Sequence, residues 1–197
     1  ETKDIGIKPT PTIGGVGLIK DYKKMITMDF KEIDNIVLVI GKTEGHIDQS
    51  LLSRIILNEN NGPPPEVNLF NEKNNGLTLL SLIEKNFIKS AHDVSLGGII
   101  TAISKMCIKG DKGIQIKKPK FLINEIEYFF AEDQGRYLIE INPKDLKEVS
   151  KILDKNSVHY DEIGKIIDKE MIIDQKTKLT IDELKSYNTN WLKSYMV

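Results

Sequence analysis

Short apolar runs alternate along this chain with segments whose apolar residues recur at helical spacing. Residues 36–40 are apolar at every position, which is typical of a strand buried on both faces of a sheet. Further strands are predicted at 13–19, 86–88, 113–116, 137–141, 163–167 and 171–173. Helices are predicted at 49–57, 77–88, 99–108, 121–130, 146–153 and 182–196. This alternation predicts an α+β fold, built as a layered α/β sandwich.

Local signals refine several of these elements. Asp145 is placed to cap the helix that follows it, and the last two predicted strands flank a turn at 168–169. Trp191 and Leu192 are expected to pack against the core from the final helix. The apolar run at 13–19 is interrupted by glycines, so it has little side-chain mass and is expected to need a neighbouring sheet.

The turn before the third predicted helix holds the most concentrated candidate chemistry. It places His92 beside Asp93, continues to Ser95 and ends on Gly97 and Gly98. Asp93 or Ser95 is expected to cap the helix, and the two glycines would let a second backbone or a phosphate approach the free N–H groups. Two interpretations remain open: these residues line a ligand cleft, or they only brace a tightly packed turn.

A second polar turn follows the strand at 36–40 and contains Gly45 and His46. Loops at the ends of buried strands often carry ligand contacts, so both residues are candidates for lining a cleft. The alternative is an ordinary connection with a surface histidine.

Composition excludes several classes of protein. The 197 residues are 40% hydrophobic and 29% charged, which predicts a folded core, and the net charge of −1 argues against nucleic-acid binding. No apolar run is long enough to predict a membrane span. The single Cys107 cannot form an internal disulfide, which indicates a reducing compartment such as the cytoplasm. The chain opens on Glu1 in mid-pattern, which predicts a piece of a longer protein.

No catalytic or metal-binding motif stands out from the residues themselves. The three histidines, His46, His92 and His159, are far apart in sequence, and no Cys-x-x-Cys or His-Glu-x-x-His pattern occurs. There is no Gly-x-Ser-x-Gly nucleophile turn and no Walker loop. These residues therefore suggest no catalytic residue and no metal site, and another fold or another domain would have to hold the phosphates of any nucleotide.

Five motifs then point to one family by their order and spacing. They are Pro9-Thr10-Pro11-Thr12-Ile13-Gly14-Gly15-Val16-Gly17-Leu18, Thr43-Glu44-Gly45-His46-x-x-Gln49-Ser50, Gly62-x-Pro64-Pro65-x-Val67-x-Leu69, Ala91-His92-Asp93-Val94-Ser95-x-Gly97-Gly98 and Phe130-Ala131-Glu132-Asp133-Gln134-Gly135-Arg136-Tyr137. The chain resembles the C-terminal part of the synthetase subunit of phosphoribosylformylglycinamidine synthase, in its small bacterial form. That family belongs to the superfamily of aminoimidazole ribonucleotide synthetase.

The resemblance implies a parent of four domains in two pseudo-symmetric halves, each an ATP-binding domain followed by a C-terminal α/β domain. Residues 1–32 would then be the final strand and connector of an ATP-binding domain, and residues 33–197 the last C-terminal domain. The implied reaction converts formylglycinamide ribonucleotide, ATP and glutamine-derived ammonia to formylglycinamidine ribonucleotide, ADP and phosphate. ATP and Mg²⁺ would serve the full-length enzyme, with none expected on this piece, which would be inactive alone. The implied partners are the upstream domains, a glutaminase subunit and a small accessory subunit.

The resemblance also marks Glu132, Asp133 and Gln134 as candidate substrate-binding residues. In the first half of such enzymes a Glu-Ser-Gln in the equivalent place contacts the ribonucleotide substrate. Here the middle residue is Asp, whose charge would repel a phosphate, so the turn could serve structure only. A non-catalytic binding or interface module of the same superfamily remains the alternative function.

Overall fold

A mixed sheet of seven strands forms the centre of the domain. In the computed structural model, residues 6, 11–117 and 123–196 are described. The strands are β1 Ile36–Ile40, β2 Ile88–Asp93, β3 Gly113–Ile116, β4 Tyr137–Ile141, β5 Tyr160–Ile167, β6 Glu170–Ile173 and β7 Thr177–Thr180. Their spatial order is β2-β4-β1-β5-β3-β6-β7, and neighbouring strands are antiparallel except for the parallel pair β3 and β6.

The described residues include five α-helices around the sheet. They are α1 Leu69–Glu84, α2 Gly98–Gly110, α3 Glu125–Phe130, α4 Leu146–Lys155 and α5 Ile181–Tyr195. Short turns of 3₁₀ helix occur at Tyr22–Lys24 and Pro143–Asp145, and a π-helical segment occurs at Leu52–Leu57. None of the helices in the described part of the chain is long and apolar enough to cross a membrane.

The side chains of β1 divide the core into two layers. Val37 and Val39 face one way, into a cluster formed with α2 and α3, while Leu38 faces the opposite layer with α1 and α4. Successive residues of a strand point to opposite faces, so a strand that is apolar throughout is suited to a sheet covered on both sides. The layered α/β sandwich predicted from the sequence is confirmed.

Two predicted helix boundaries were wrong. The helix predicted at 77–88 begins at Leu69, where the side chain of Asn68 accepts a hydrogen bond from Asn71 N at 3.0 Å and caps it. It ends at Glu84, because Asn86 adopts a left-handed backbone with φ of 61°. The strand that follows is longer than the predicted 86–88, since β4 pairs with it as far as Asp93.

The helix predicted at 49–57 starts later and is wound differently. Gln49 has a φ of 61°, which lies outside helical backbone geometry, and the π-helical segment begins at Leu52.

The helix predicted at 121–130 falls partly outside the described residues. Its described part is α3, capped by the side chain of Asn124, which accepts from Ile126 N at 2.9 Å.

The predicted cap at Asp145 was wrong, whereas the strands predicted on either side of 168–169 are confirmed. The side chain of Asp145 makes no capping hydrogen bond, and Asn142 instead accepts from Lys144 N at 3.1 Å. β5 and β6 do flank the turn at 168–169, but β3 lies between them in the sheet. The polar strand β7 was not predicted, because strand pairing rather than hydrophobicity defines it.

The beginning of the final helix packs against the core, whereas two large side chains near its end are exposed. Ile181 is buried and Leu184 packs against the same cluster, whereas Trp191 is 61% exposed and Leu192 is 52% exposed. The expectation that these two side chains pack against the core was wrong. Helical spacing identifies an apolar face, but it does not show that a partner surface lies opposite.

The amino-terminal segment is exposed at 11–19 and becomes buried toward Phe30. Within the described residues, 11–19 form no strand and are exposed, with Ile13 90% and Leu18 93% exposed; Pro9 and Thr10 of the first motif lie outside the described residues. Further along, Phe30 is 1% exposed and belongs to the α2 side of the core. The later part of the segment is therefore in contact with the domain that follows.

A buried carboxylate on β4 fastens this connection. Glu140 is fully buried and accepts hydrogen bonds from Lys31 N at 2.8 Å and Glu32 N at 3.0 Å. It also accepts from Asn35 Nδ2 and from Ser90 Oγ, each at 2.7 Å. The four donors satisfy a charge that would otherwise be costly to bury, and they join the connector to the sheet.

Candidate functional site

An open cleft of about 680 Å³ lies beside the turn that precedes β4. Its walls are the loop after β1, the segment that leads into α1 with the first turns of that helix, and residues 133–135. Four carboxylates belong to the lining: Glu44, Glu66, Glu72 and Asp133. Lys42 and His46 are the basic residues in it, and the nitrogen of Lys42 lies 2.7 Å from Glu44 Oε1.

The carboxylate of Asp133 is held by three consecutive backbone N–H groups. Its Oδ2 accepts from Glu44 N at 3.0 Å and Gly45 N at 3.1 Å, and its Oδ1 accepts from His46 N at 3.1 Å. Asp133 is only 6% exposed. These bonds fix the loop after β1 against the 132–135 turn and use the oxygens that a substrate would otherwise meet.

Gly45 is required for that arrangement. Its φ of +87° lies in the left-handed region that favours glycine, and a Cβ there would lie 3.3 Å from the Cβ of Glu127. The loop is fixed from a second side, because His46 Nε2 lies 2.9 Å from Pro63 O.

Glu132 connects the same turn to two other segments. Its Oε1 accepts from Leu51 N and from Gly97 N, each at 2.8 Å. Gly97 is the N-cap position of α2, and no side chain within its own segment caps it. The expected cap by Asp93 or Ser95 was therefore wrong, because Glu132, remote in sequence, satisfies an N–H at this helix start.

A second backbone lies against Gly98. A Cβ at this position would approach Phe129 O to 2.6 Å and Ala131 O to 2.7 Å, and its φ is +70°. The α2 start thus packs directly on the chain that leads into the 132–135 turn. Any side chain here would have to displace backbone atoms.

Arg136 is a central residue that the sequence interpretation missed. It is 1% exposed and donates from Nη2 to Ala131 O at 2.7 Å and from Nη1 to Thr43 Oγ1 at 3.0 Å. Its Nη1 also lies 3.7 Å from Asp133 Oδ2. Burial lowers the pKa of the guanidinium, and the charge of Asp133 partly offsets this effect. In the sequence it appears only as one position of the fifth motif, with no role assigned to it.

His92 and Asp93 lie at the end of β2, opposite β4. His92 Nδ1 lies 3.0 Å from Asp93 Oδ1; the histidine side chain is 8% exposed and the aspartate side chain 63% exposed. His92 Nε2 is buried without a hydrogen-bond partner in the described part of the chain. Burial opposes ionisation of Asp93, but His92 and a hydrogen bond with Ser95 together lower its pKa below the ordinary value.

Tyr137 links this pair to the cleft. It is the cross-strand partner of Asp93, and burial, then the charges of Glu72 and Asp93, raise its pKa. Glu72 is a cleft residue contributed by the part of α1 that the sequence interpretation left out. From the same helix, Asn75 donates from Nδ2 to Gly135 O at 2.9 Å.

The predicted site residues thus fall into two groups. His46, Asp133 and the exposed Gln134 line the cleft, and Gly45 lies between two of its lining residues. The other predicted residues, which are not part of the lining, are Glu132, His92, Asp93, Ser95, Gly97 and Gly98. Among the described residues, no three His, Cys, Asp or Glu side chains are grouped closely enough to hold a metal ion.

The chain is similar in sequence to known proteins along its whole length. The chain is 69% identical over 196 residues to the phosphoribosylformylglycinamidine synthase subunit PurL of Pelagibacter ubique (strain HTCC1062), covering 100% of this chain and 27% of that protein. The PurL of Bartonella henselae is 37% identical, with coverage of 100% and 26%. The chain therefore spans about a quarter of the length of these relatives.

Solved structures share the fold. T. maritima PurL complexed with FGAR has a TM-score of 0.70 at 16% identity, over 83% of this chain and 30% of that chain. T. maritima PurL complexed with ATP has a TM-score of 0.63 at 16% identity, over 83% and 27%. At these identities the likeness concerns the fold alone.

A family model completes the comparison. The model described as AIR synthase related protein, C-terminal domain, matches residues 32–175, which include four of the five motifs in full. The resemblance predicted from those motifs is confirmed, and the chain belongs to the family of AIR synthase related proteins, as their C-terminal domain.

Proposed function

We propose that this chain is a domain of an ATP-dependent ligase of purine biosynthesis, phosphoribosylformylglycinamidine synthase. The reaction converts formylglycinamide ribonucleotide, glutamine-derived ammonia and ATP to formylglycinamidine ribonucleotide, ADP and phosphate. The observation that carries this proposal is the 69% identity with a PurL subunit along the whole chain. The fold supports it, because the similar structures include PurL complexed with FGAR and with ATP.

Within such an enzyme, this domain would position other parts rather than perform the chemistry. Both Glu132 and Asp133 direct their oxygens to backbone N–H groups of the same chain, which leaves Gln134 as the exposed member of the predicted substrate-binding group. The described residues offer no cluster suited to Mg²⁺. As the family resemblance implies, we propose that ATP and Mg²⁺ are held elsewhere in the longer polypeptide.

The proposed domain organisation assigns residues 1–32 to the final strand and connector of an ATP-binding domain, and residues 33–197 to the C-terminal domain. The exposed apolar side chains of 11–19 support this assignment, because a strand removed from its sheet exposes such residues. The proposed partners are the upstream domains, a glutaminase subunit and a small accessory subunit, in the cytoplasm. A PurLQS structure from Thermotoga maritima, with a TM-score of 0.65, is among the similar structures.

A chimera tests the function. This chain would replace the matching quarter of the Pelagibacter ubique PurL, and amidine formation would be followed with ATP, Mg²⁺, formylglycinamide ribonucleotide and ammonium chloride. We expect the chimera to keep the ATP-dependent activity and the isolated 197-residue chain to show none. A folded but inactive chimera would contradict the ligase assignment and favour a non-catalytic interface module. Activity of the isolated chain would contradict the placement of the catalytic groups elsewhere.

A further inference from the structure

The geometry points to an anion-binding site that the protein fills with its own side chain. We infer that residues 44–46 form a site for a phosphate group, and that the carboxylate of Asp133 occupies it and keeps external phosphates out of the cleft. Asp133 would thus determine which class of ligand the cleft accepts. This inference does not depend on the ligase activity proposed above.

The backbone of residues 44–46 has the form of an anion-binding concavity. Three successive N–H groups converge on one carboxylate at 3.0 to 3.1 Å, and the left-handed Gly45 turns the middle group toward the others. Successive N–H groups arranged in this way bind phosphates and other anions in proteins. The carboxylate of Asp133 shows that the concavity accepts a negatively charged group with two oxygens.

A buried cation provides an independent reason for an anion at this position. Arg136 is 1% exposed, and its Nη1 lies 3.7 Å from Asp133 Oδ2. Without the carboxylate of Asp133, the guanidinium and the three N–H groups would lose their shared negative partner. Arg136 would keep its hydrogen bonds to Ala131 O and Thr43 Oγ1 but lose its nearest carboxylate. Burying a cation without a nearby anion is costly, so an external anion that restores the charge balance would bind favourably.

The cleft provides access for such an anion and limits its charge. Asp133 belongs to the lining, together with Lys42, His46 and the N-cap residue Asn68 of the long helix α1. Three further carboxylates line the cleft, Glu44, Glu66 and Glu72. Glu44 is paired with Lys42, and Glu66 and Glu72 would repel additional negative charge. The matching ligand is therefore a single phosphate group rather than a polyphosphate.

Phosphate titration of ¹⁵N-labelled protein tests this inference. Asp133→Ser removes the carboxylate, and Gln134→Ser on the same turn is the matched control, since Gln134 is exposed and makes none of the bonds to residues 44–46. Inorganic phosphate would be added at constant ionic strength, with chloride as the balancing ion. We expect saturable shifts of the 44–46 amide signals in Asp133→Ser, with a Kd lower by about tenfold or more than in wild type or control. A folded Asp133→Ser chain without such shifts, or equal binding by wild type, would overturn the inference.

A folding measurement covers the case in which the variant is unstable. Asp133→Ser and Asp133→Asn would be unfolded by heat in phosphate and in chloride at equal ionic strength. A ligand that binds only the native state raises its stability. We therefore expect phosphate to raise the Tm of Asp133→Ser and Asp133→Asn and to leave the Tm of Gln134→Ser unchanged. If both variants fail to fold even in phosphate, the site requires the attached carboxylate itself, and the inference is wrong.

Discussion

Glu132 holds the start of α2 through the N–H of Gly97, which its Oε1 accepts at 2.8 Å. The same oxygen accepts the N–H of Leu51, so one side chain connects two segments that are far apart in sequence. The 132–135 turn is consequently a junction between the loop after β1, the π-helical segment and α2.

Replacing Glu132 should destabilise the protein through this junction. In Glu132→Ala two backbone N–H groups lose their acceptor, and we expect the free energy of unfolding to fall by about 1–3 kcal/mol. Glu132→Gln keeps an oxygen acceptor and should lose less. Urea unfolding of both variants provides the measurement. Equal losses for alanine and glutamine would show that the acceptor oxygen is not the cause.

Glu140 should contribute more to stability than Glu132 or Asp133, because its carboxylate accepts hydrogen bonds from four donors. Glu140→Ala leaves four donors without their partner, and we expect a loss of at least about 3 kcal/mol in the free energy of unfolding. Ser90→Ala removes one donor only and should cost about 1 kcal/mol. Chemical unfolding measured by circular dichroism compares the two. A Glu140→Ala variant as stable as Ser90→Ala would mean that water replaces the missing carboxylate.

Substitutions at His92 and Asp93 test whether this pair braces the end of β2 or contacts a ligand. If they brace the end of β2, His92→Ala should lower the stability of the isolated chain by about 1–3 kcal/mol and reduce the activity of the chimera only through that defect. Bracing is the expected result, because the His92 side chain is only 8% exposed and lies outside the cleft lining. Thermal unfolding and the steady-state rates of the chimera give the comparison, with Asp93→Asn as the second variant. A stable chain in a slow chimera would favour ligand contact instead.

His159 should make stability depend on pH. Its hydrogen bond with the buried Asp161, whose Oδ1 lies 3.4 Å from His159 Nε2, raises the pKa of His159 despite partial burial and the nearby Lys42. A raised pKa stabilises the fold fully below the unfolded value of 6.5, and this contribution is lost as the pH rises through the folded pKa.

The stability difference between wild type and His159→Gln should accordingly be larger at about pH 5.5 than at about pH 9. Denaturant unfolding at both pH values measures it. In an Asp161→Asn background the difference should lose its pH dependence, because the partner charge is gone. The same dependence with and without Asp161 would assign the effect to another group.

The sequence determined the central strands and much of the family pattern. An uninterrupted apolar run such as 36–40 has few stable alternatives to a strand covered on both faces, and the amphipathic pattern of 146–153 likewise indicates the helix found there. Turn chemistry was also readable in part, since the glycines at 45 and 98 occupy positions that a side chain would strain.

Only the tertiary structure decided what the polar residues do. The hydrogen-bond donors to the carboxylates of Glu132, Asp133 and Glu140 lie between 35 and 109 residues away along the chain, so no local pattern predicts those hydrogen bonds. Exposure was undecided for the same reason. Trp191 has the spacing of a core residue but no surface opposite it in the described residues, whereas the charged side chain of Arg136 is buried. Local sequence fixes backbone preference and hydrophobic periodicity, whereas burial and hydrogen-bond partners depend on which distant segments the fold brings together.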